Sequence, residues 1–176
     1  MNLRRIIVNS AQPTQIPIER LSSIGHDPRL IQSIDHLIQL GFNSDRTVMA
    51  VPVQIYFLQN DQGLVVSVAM IGPISKQIDS HVPDECCRED YQMIANVVTH
   101  PNYQGQGLAS LLVSTILLEA SAAGIKRIYL KVDPTNQPAN HVYTKLGFIF
   151  KQVVPHATEL GLEETHWLEF DPTPCL

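Results

Sequence analysis

Two groups of residues in the second half of the chain have the types and spacing to do chemistry. Gln104, Gly105, Gln106, Gly107, Leu108 and Ala109 stand between a β-rich run and a strongly helical one. Downstream, Asn136, Ala139, Tyr143, Gly147 and Phe148 follow the spacing N-x-x-A-x-x-x-Y-x-x-x-G-F. A glycine loop entering a helix points free backbone N–H groups outward, and the helix dipole adds positive potential, so such a loop can cradle an anion. A tyrosine on the next short helix could act as an acid–base group. Together they suggest an enzyme that holds a phosphate-bearing cofactor and works beside it. Each group also has a plainer reading. The glycines could serve only a tight turn. Tyr143 could be a packed core tyrosine, and Asn136 a helix cap.

The elements that must position these groups follow from hydropathy and punctuation. Residues 4–8 read as a first strand. Residues 28–40 read as a helix, with Leu30, Ile31, Ile34, Leu37 and Ile38 on one face and Gly41 just past its end. Residues 48–58 and 64–71 are β-rich, joined by a hairpin at Asn60, Asp61, Gln62 and Gly63. Residues 72–90 form a long polar stretch that is either functional or holds unrecognised structure. Residues 91–99 form a strand, and 108–123 a helix that is apolar over most of its surface and stopped by Gly124. Residues 128–132 form a strand and 139–146 a short helix. On that helix Ala139, Val142, Tyr143 and Leu146 share a face, Pro138 sits in its first turn and Gly147 at its C-cap. Residues 148–154 and 165–170 close the chain as strands. The order implies a mixed sheet with helices, an α+β or α/β domain.

Composition bounds the function. The 176 residues suit a single domain, 1–176, with a sizeable core; they are 44% apolar and 16% charged. A net charge of -5 argues against a nucleic-acid binder, which needs clustered Lys and Arg. Three cysteines, with Cys86 and Cys87 adjacent, make no disulfide framework and suit a reduced, cytoplasmic setting. The apolar run after Arg4 and Arg5 is too short for a signal peptide, and no run reaches the ~20 residues of a membrane span. No set of residues spaced as metal ligands stands out.

Known phosphate loops fit the glycines incompletely. A dinucleotide fingerprint would need a third glycine where Ser110 stands, and Asp133 lies farther past Gly107 than the ~20 residues expected of a ribose-binding acid. A P-loop is excluded because no Gly-Lys-Ser/Thr follows.

The pair of motifs resembles the GNAT superfamily of acyl-CoA-dependent N-acetyltransferases. Val98-Thr99-His100-Pro101-Asn102-Tyr103 followed by Gln104-Gly105-Gln106-Gly107-Leu108-Ala109 is similar to that family's Arg/Gln-x-x-Gly-x-Gly/Ala loop. Leu130-Lys131-Val132-Asp133-Pro134-Thr135-Asn136, continuing to Tyr143-Thr144-Lys145-Leu146-Gly147-Phe148, is similar to its second block. The dense match runs over residues 93–148. The resemblance implies a central, mostly antiparallel sheet whose two parallel central strands, 91–99 and 128–132, splay apart to admit acetyl-CoA. Backbone groups of Val97, Val98 and Thr99 would pair with the pantetheine arm. The amides of Gln104, Gly105, Gln106, Gly107, Leu108 and Ala109 would hold the pyrophosphate. Asn136 and Ala139 would line the cofactor arm, and Tyr143 would protonate the departing thiolate as general acid.

Two departures from the family pattern bear on mechanism. Gln104 stands where an arginine is often found, so the loop leans on backbone donors; Lys145 could add charge near the phosphates or simply be solvated. Lys131 stands where some relatives carry a carboxylate, leaving the general base open. Asp133, Asn96 and His100 lie near the expected cleft, and Asp133 is the candidate base, with a turn residue before Pro134 as its other reading. No covalent intermediate is required, so Cys86 and Cys87 read as loop or packing thiols.

The acceptor implied is a small-molecule or peptide amine. Asp79, Asp84, Glu85, Glu89 and Asp90 with Glu159, Glu163 and Glu164 would make an acidic rim favouring a cationic amine, or an ordinary solvated surface. A catalytically silent acyl-CoA sensor or scaffold is the other functional class, and a nicotinamide-dependent oxidoreductase a third. The sequence is compatible with a homodimer and does not require one.

Overall fold

Strand periodicity and glycine placement build a seven-stranded sheet that helices cover on both faces. The computed structural model describes all residues except 11–13, 19, 24, 43–47, 78, 159–160 and 173–176. In chain order the elements are β1 (Asn2–Val8), β2 (Thr14–Pro17), α1 (Arg20–Ser23), α2 (Pro28–Phe42), β3 (Val48–Val51), β4 (Val53–Gln59) and β5 (Val65–Pro73). They continue with β6 (Tyr91–Thr99), α3 (Leu108–Ala122), β7 (Arg127–Val132), α4 (Gln137–Lys145), β8 (Ile149–Thr158) and β9 (Gly161–Phe170). The main sheet runs β1-β4-β5-β6-β7-β9-β8, and β2 pairs with β3 in a separate two-stranded ribbon. Among the described residues only β6 and β7 are parallel; the other pairings are antiparallel.

One face of the sheet packs on α3 and α4 through Leu112, Val113, Ile116, Ile94, Leu130 and Tyr143. The opposite face is covered in two parts. Ile31, Ile34, Leu37 and Ile38 of α2 bury against β4 and β5. Beyond them, Ile74, Val82 and Cys86 lie on Tyr129, Val154 and Trp167. The 72–90 stretch is therefore a cover over β7 and β9, built from turns and a short 3-10 helix at Asp84–Cys86.

Several elements differ from the sequence expectation for local reasons. The run 48–58 is two strands, not one, because Pro52 cannot donate to a ladder and the chain changes sheets there. Gly72 of β5 lies against that break: a Cβ at Gly72 would sit 2.7 Å from the Pro52 carbonyl oxygen. Gly72→Ala should thus destabilise the protein by about 1–3 kcal/mol through overpacking against backbone, read as a shift in the urea midpoint. Gly41 does not end α2, which runs on to Phe42. Its Cβ would meet Val98 Cγ1 at 2.4 Å, so glycine there lets the helix approach β6 closely. The α3 helix buries Leu108, Leu112, Val113, Ile116, Leu117 and Ala120 but leaves Leu111 and Leu118 exposed. The two closing strands form a longer hairpin than their hydropathy suggested, with β9 inserted beside β7.

Candidate functional site

The strands β6 and β7 stay in register only from Tyr91 opposite Arg127 to Ile94 opposite Leu130. Just beyond, β6 carries a bulge. Val68 of β5 faces Val98 while Met70 faces Ala95, so Asn96 and Val97 share the place opposite one residue. Asn96 takes the left-handed conformation, φ 51, uncommon outside glycine, and its side-chain amide lies 3.4 Å from Met70 Sδ. An extra residue bends and twists a strand, so β6 turns away from β7 and a wedge opens between them toward their C-terminal ends. Val97, Val98 and Thr99 fall on the diverging part. Val97 packs toward α3 and Val98 toward α2, as alternation requires.

The loop after β6 lies at the mouth of this wedge. His100 begins a 3-10 turn, Pro101–Tyr103, its Nδ1 accepting from the Asn102 amide at 3.2 Å. Tyr103 is pinned to the β4–β5 hairpin by the Asn60 amide at 2.9 Å. Gln104 braces the loop: its backbone N–H donates to Pro101 and its side-chain amide to the Thr99 carbonyl at 3.2 Å. Gly105 and Gly107 then adopt φ 73 and 76. Gly107 is the N-cap of α3 and supplies no side-chain cap, so the first-turn amides keep their donors free of one. A Cβ on either glycine would meet no protein atom within 4 Å. Left-handed backbone, not packing, demands glycine here, and the space a Cβ would fill is open.

The second motif reaches the same wall. Asn136 caps α4, its Oδ1 accepting from the Ala139 amide at 3.2 Å. Ala139, Val142, Tyr143 and Leu146 lie on one face against the α3 side of the sheet, as their spacing predicted. Gly147, φ 93, ends the helix in the left-handed region, beside Phe170. Tyr143 is buried in the cluster that holds Ile94 and Leu130, the last paired residues before the wedge. Its ring stands edge-on to Phe148, and its hydroxyl makes no hydrogen bond to a described residue. Burial pushes the phenol up to about 12, so it stays protonated at neutral pH and can donate.

The other residues singled out in the sequence are bonded as follows. Asp133 is exposed; its Oδ1 accepts the Thr135 hydroxyl and amide, both at 2.7 Å, and those bonds hold its carboxyl below the usual range. That is the bonding of a turn carboxylate. Lys145 is exposed in the last turn of α4, favourable for the helix dipole. The Cys86 thiol is buried and pushed up to about 11, chiefly by desolvation, so it is no thiolate nucleophile; Cys87 is exposed and both are free.

Three carboxylates of the rim that looked acidic in sequence are paired with cations, while Glu85, Glu89 and Glu164 make no ion pair with a described residue. Asp84 pairs with Lys76 at 2.6 Å, and Asp90 with Arg88 and Lys126, each at 3.1 Å. Asp79 pairs with Lys131, whose ammonium also lies over the Trp167 ring. Glu159 and the Glu163 side chain lie outside the described residues. Sequence reasoning missed this Asp79–Lys131 pairing; the alternating pattern of β7, which turns Lys131 away from α3, was the only available signal. Burial alone would raise the Asp79 carboxyl, but the hydrogen bonds from Lys131 and the His81 amide outweigh it and hold it low, as Arg88 and Lys126 hold Asp90 at about 2. Carboxylates depressed in the fold favour it above their ordinary ~3.9 and lose that contribution as pH falls through their folded values. Stability should therefore be level near neutrality and fall between about pH 5 and pH 2. Asp79→Asn should flatten part of that fall in urea titrations.

The model for the acetyltransferase (GNAT) family matches residues 35–148, more than half of the chain. The chain belongs to that family. Its sheet order, with one splayed parallel pair, is the GNAT fold, and membership places it among acyltransferases. The L-amino acid N-acyltransferase MnaT of Escherichia coli (strain K12) is 30% identical over 74 residues. That match takes in 42% of this chain and about two fifths (41%) of MnaT's length. Among solved structures, the ribosomal-protein-S18-alanine N-acetyltransferase of Escherichia coli superposes with a TM-score of 0.61 at 18% identity, covering 94% of this chain and 97% of that one. The acetyl-CoA-bound structure of yncA from Salmonella typhimurium gives 0.59 at 17% identity, covering 100% and 97%. Among the described residues no helix is long and apolar enough to cross a membrane, and no group of three or more His, Cys, Asp or Glu is placed to hold a metal.

Proposed function

We propose that this GNAT chain is an N-acetyltransferase that moves the acetyl group of acetyl-CoA to a primary amine by direct attack in a ternary complex. The observation that carries the reading is the wedge between β6 and β7 with an uncapped, glycine-bent helix N-terminus at its mouth. In this reading the amides of Gly105, Gln106, Gly107, Leu108 and Ala109 take the pyrophosphate, while Gln104 stiffens the loop. The arm runs along Val97, Val98 and Thr99, past Asn136 and Ala139, and brings the thioester to the point where the strands part.

The chemistry then needs little more than geometry. Holding amine and thioester together removes much of the entropic barrier. The amine nitrogen attacks the carbonyl carbon, the C–S bond breaks, and the Tyr143 phenol gives its proton to the departing thiolate. MnaT's name gives L-amino acids as its acceptors, which makes α-amino acids the first acceptors to try here. The pairing of Asp79, Asp84 and Asp90 with cations weakens the sequence argument for a polycation.

Ligand-induced stabilisation separates the three functional classes. Coenzyme A and acetyl-CoA should raise the melting temperature, with a gain of about 2.7 kcal/mol at a hundredfold excess over Kd, and NAD should not. Protection by NAD alone would point to the oxidoreductase. Protection by coenzyme A with no acetylated product from any amine would point to the silent acyl-CoA sensor.

A further inference from the structure

The proton released by the attacking amine must go somewhere, and β6 offers nowhere: between Tyr91 and Thr99 it carries no Asp, Glu or His. Asp133 spends its Oδ1 on its own turn. The place where the thioester would emerge is better defined. Ile94 and Leu130 face α3, so the next residue of β7, Lys131, faces the opposite side of the sheet at the level where the strands part. Its ammonium is paired with Asp79 Oδ2. The other oxygen of Asp79 accepts the backbone N–H of His81 at 3.0 Å and lies 3.6 Å from His81 Nδ1. Val82, the next residue, is buried on the sheet and anchors the segment. His81 keeps a third of its side chain accessible, and its Nε2 has no partner among the described residues. Of the other ions of the segment, Lys76 pairs with Asp84 and Arg88 with Asp90, while Glu85 and Glu89 are exposed.

We infer that His81 accepts the proton released by the attacking amine, with Asp79 and Lys131 as its positioning residues. The inference rests on the acetyltransfer reading above. As the C–N bond forms and the C–S bond breaks, the amine proton passes to the His81 imidazole and the Tyr143 proton passes to sulfur. Solvent then takes the first proton and returns one to Tyr143, leaving amide and free thiol. Asp79 Oδ1 holds the His81 main chain and lies 3.6 Å from its Nδ1, and Lys131 keeps Asp79 at the parting of the strands. The arrangement also gives the 72–90 cover a task beyond shielding Trp167.

The test uses acetyl-CoA with an equimolar mixture of L-amino acids and spermidine, following thiol release for wild type, His81→Ala, His81→Gln and Asp133→Asn. His81→Ala should lose about a hundredfold in kcat, with acetyl-CoA affinity and melting temperature kept, and added imidazole should restore part of the turnover. The isosteric His81→Gln should lose as much without rescue, and Asp133→Asn should turn over like wild type. Unchanged turnover in both His81 variants, a loss that imidazole does not relieve in His81→Ala, or an equal loss in Asp133→Asn would each overturn the assignment. Absence of thiol release by wild type would overturn the acetyltransfer reading itself and the His81 role with it.

Discussion

Gly107→Val should reduce acetyl-CoA binding by more than a hundredfold while leaving a folded protein. Two effects act at that position and can be told apart. A β-branched residue at φ 76 is strained by about 1–2 kcal/mol or somewhat more, a cost a domain of ordinary stability, about 5–15 kcal/mol, survives. The new side chain meets no protein atom within 4 Å of its Cβ, so it projects into the concavity assigned to the pyrophosphate. Gly124 supplies the control. It sits past the other end of α3 at φ 82, and its Cβ also meets nothing. Gly124→Val should show comparable strain in urea unfolding and unchanged cofactor affinity by calorimetry. Equal affinity in both variants would contradict the cradle.

Tyr143→Phe should cut kcat by about a hundredfold to a thousandfold with little change in acetyl-CoA affinity or stability. The phenol is buried and its hydroxyl has no described protein partner, so removing the oxygen leaves packing against Phe148 intact and strands no neighbour. Tight binding with slow turnover is the signature of an interaction made only on the way to products. Wild-type kcat in this variant would mean that the thiolate leaves unassisted and that Tyr143 is a packing residue.

The glycine turns and the buried face of α4 were legible in the sequence because backbone rules write them there. Gly105, Gly107, Gly124 and Gly147 each occupy left-handed backbone, and glycine is the residue such positions select. The shared face of Ala139, Val142, Tyr143 and Leu146 followed from helical spacing alone. What the sequence hid depends on contacts between distant segments. Gly41 read as a stop because the nearness of Val98 to α2 is tertiary. The run from Val48 looked like one strand because Pro52 marks a change of sheet only once β2 is seen to pair with β3. The bulge at Asn96 carries no glycine or proline to announce it, yet it sets where the wedge begins. The ion pairs of the rim were hidden for the same reason: the cations beside Asp79 and Asp90 include Lys131 and Lys126, far along the chain.

The most direct test of the account is the fate of the acetyl group itself. Purified protein would be incubated with acetyl-CoA and a broad library of amines and peptides, with mass spectrometry of the products alongside thiol release. The account predicts at least one amine heavier by one acetyl group, formed in equal amount with free coenzyme A and abolished in Gly107→Val. Thiol release without any acetylated amine, or acetylated product that persists in that variant, would contradict it.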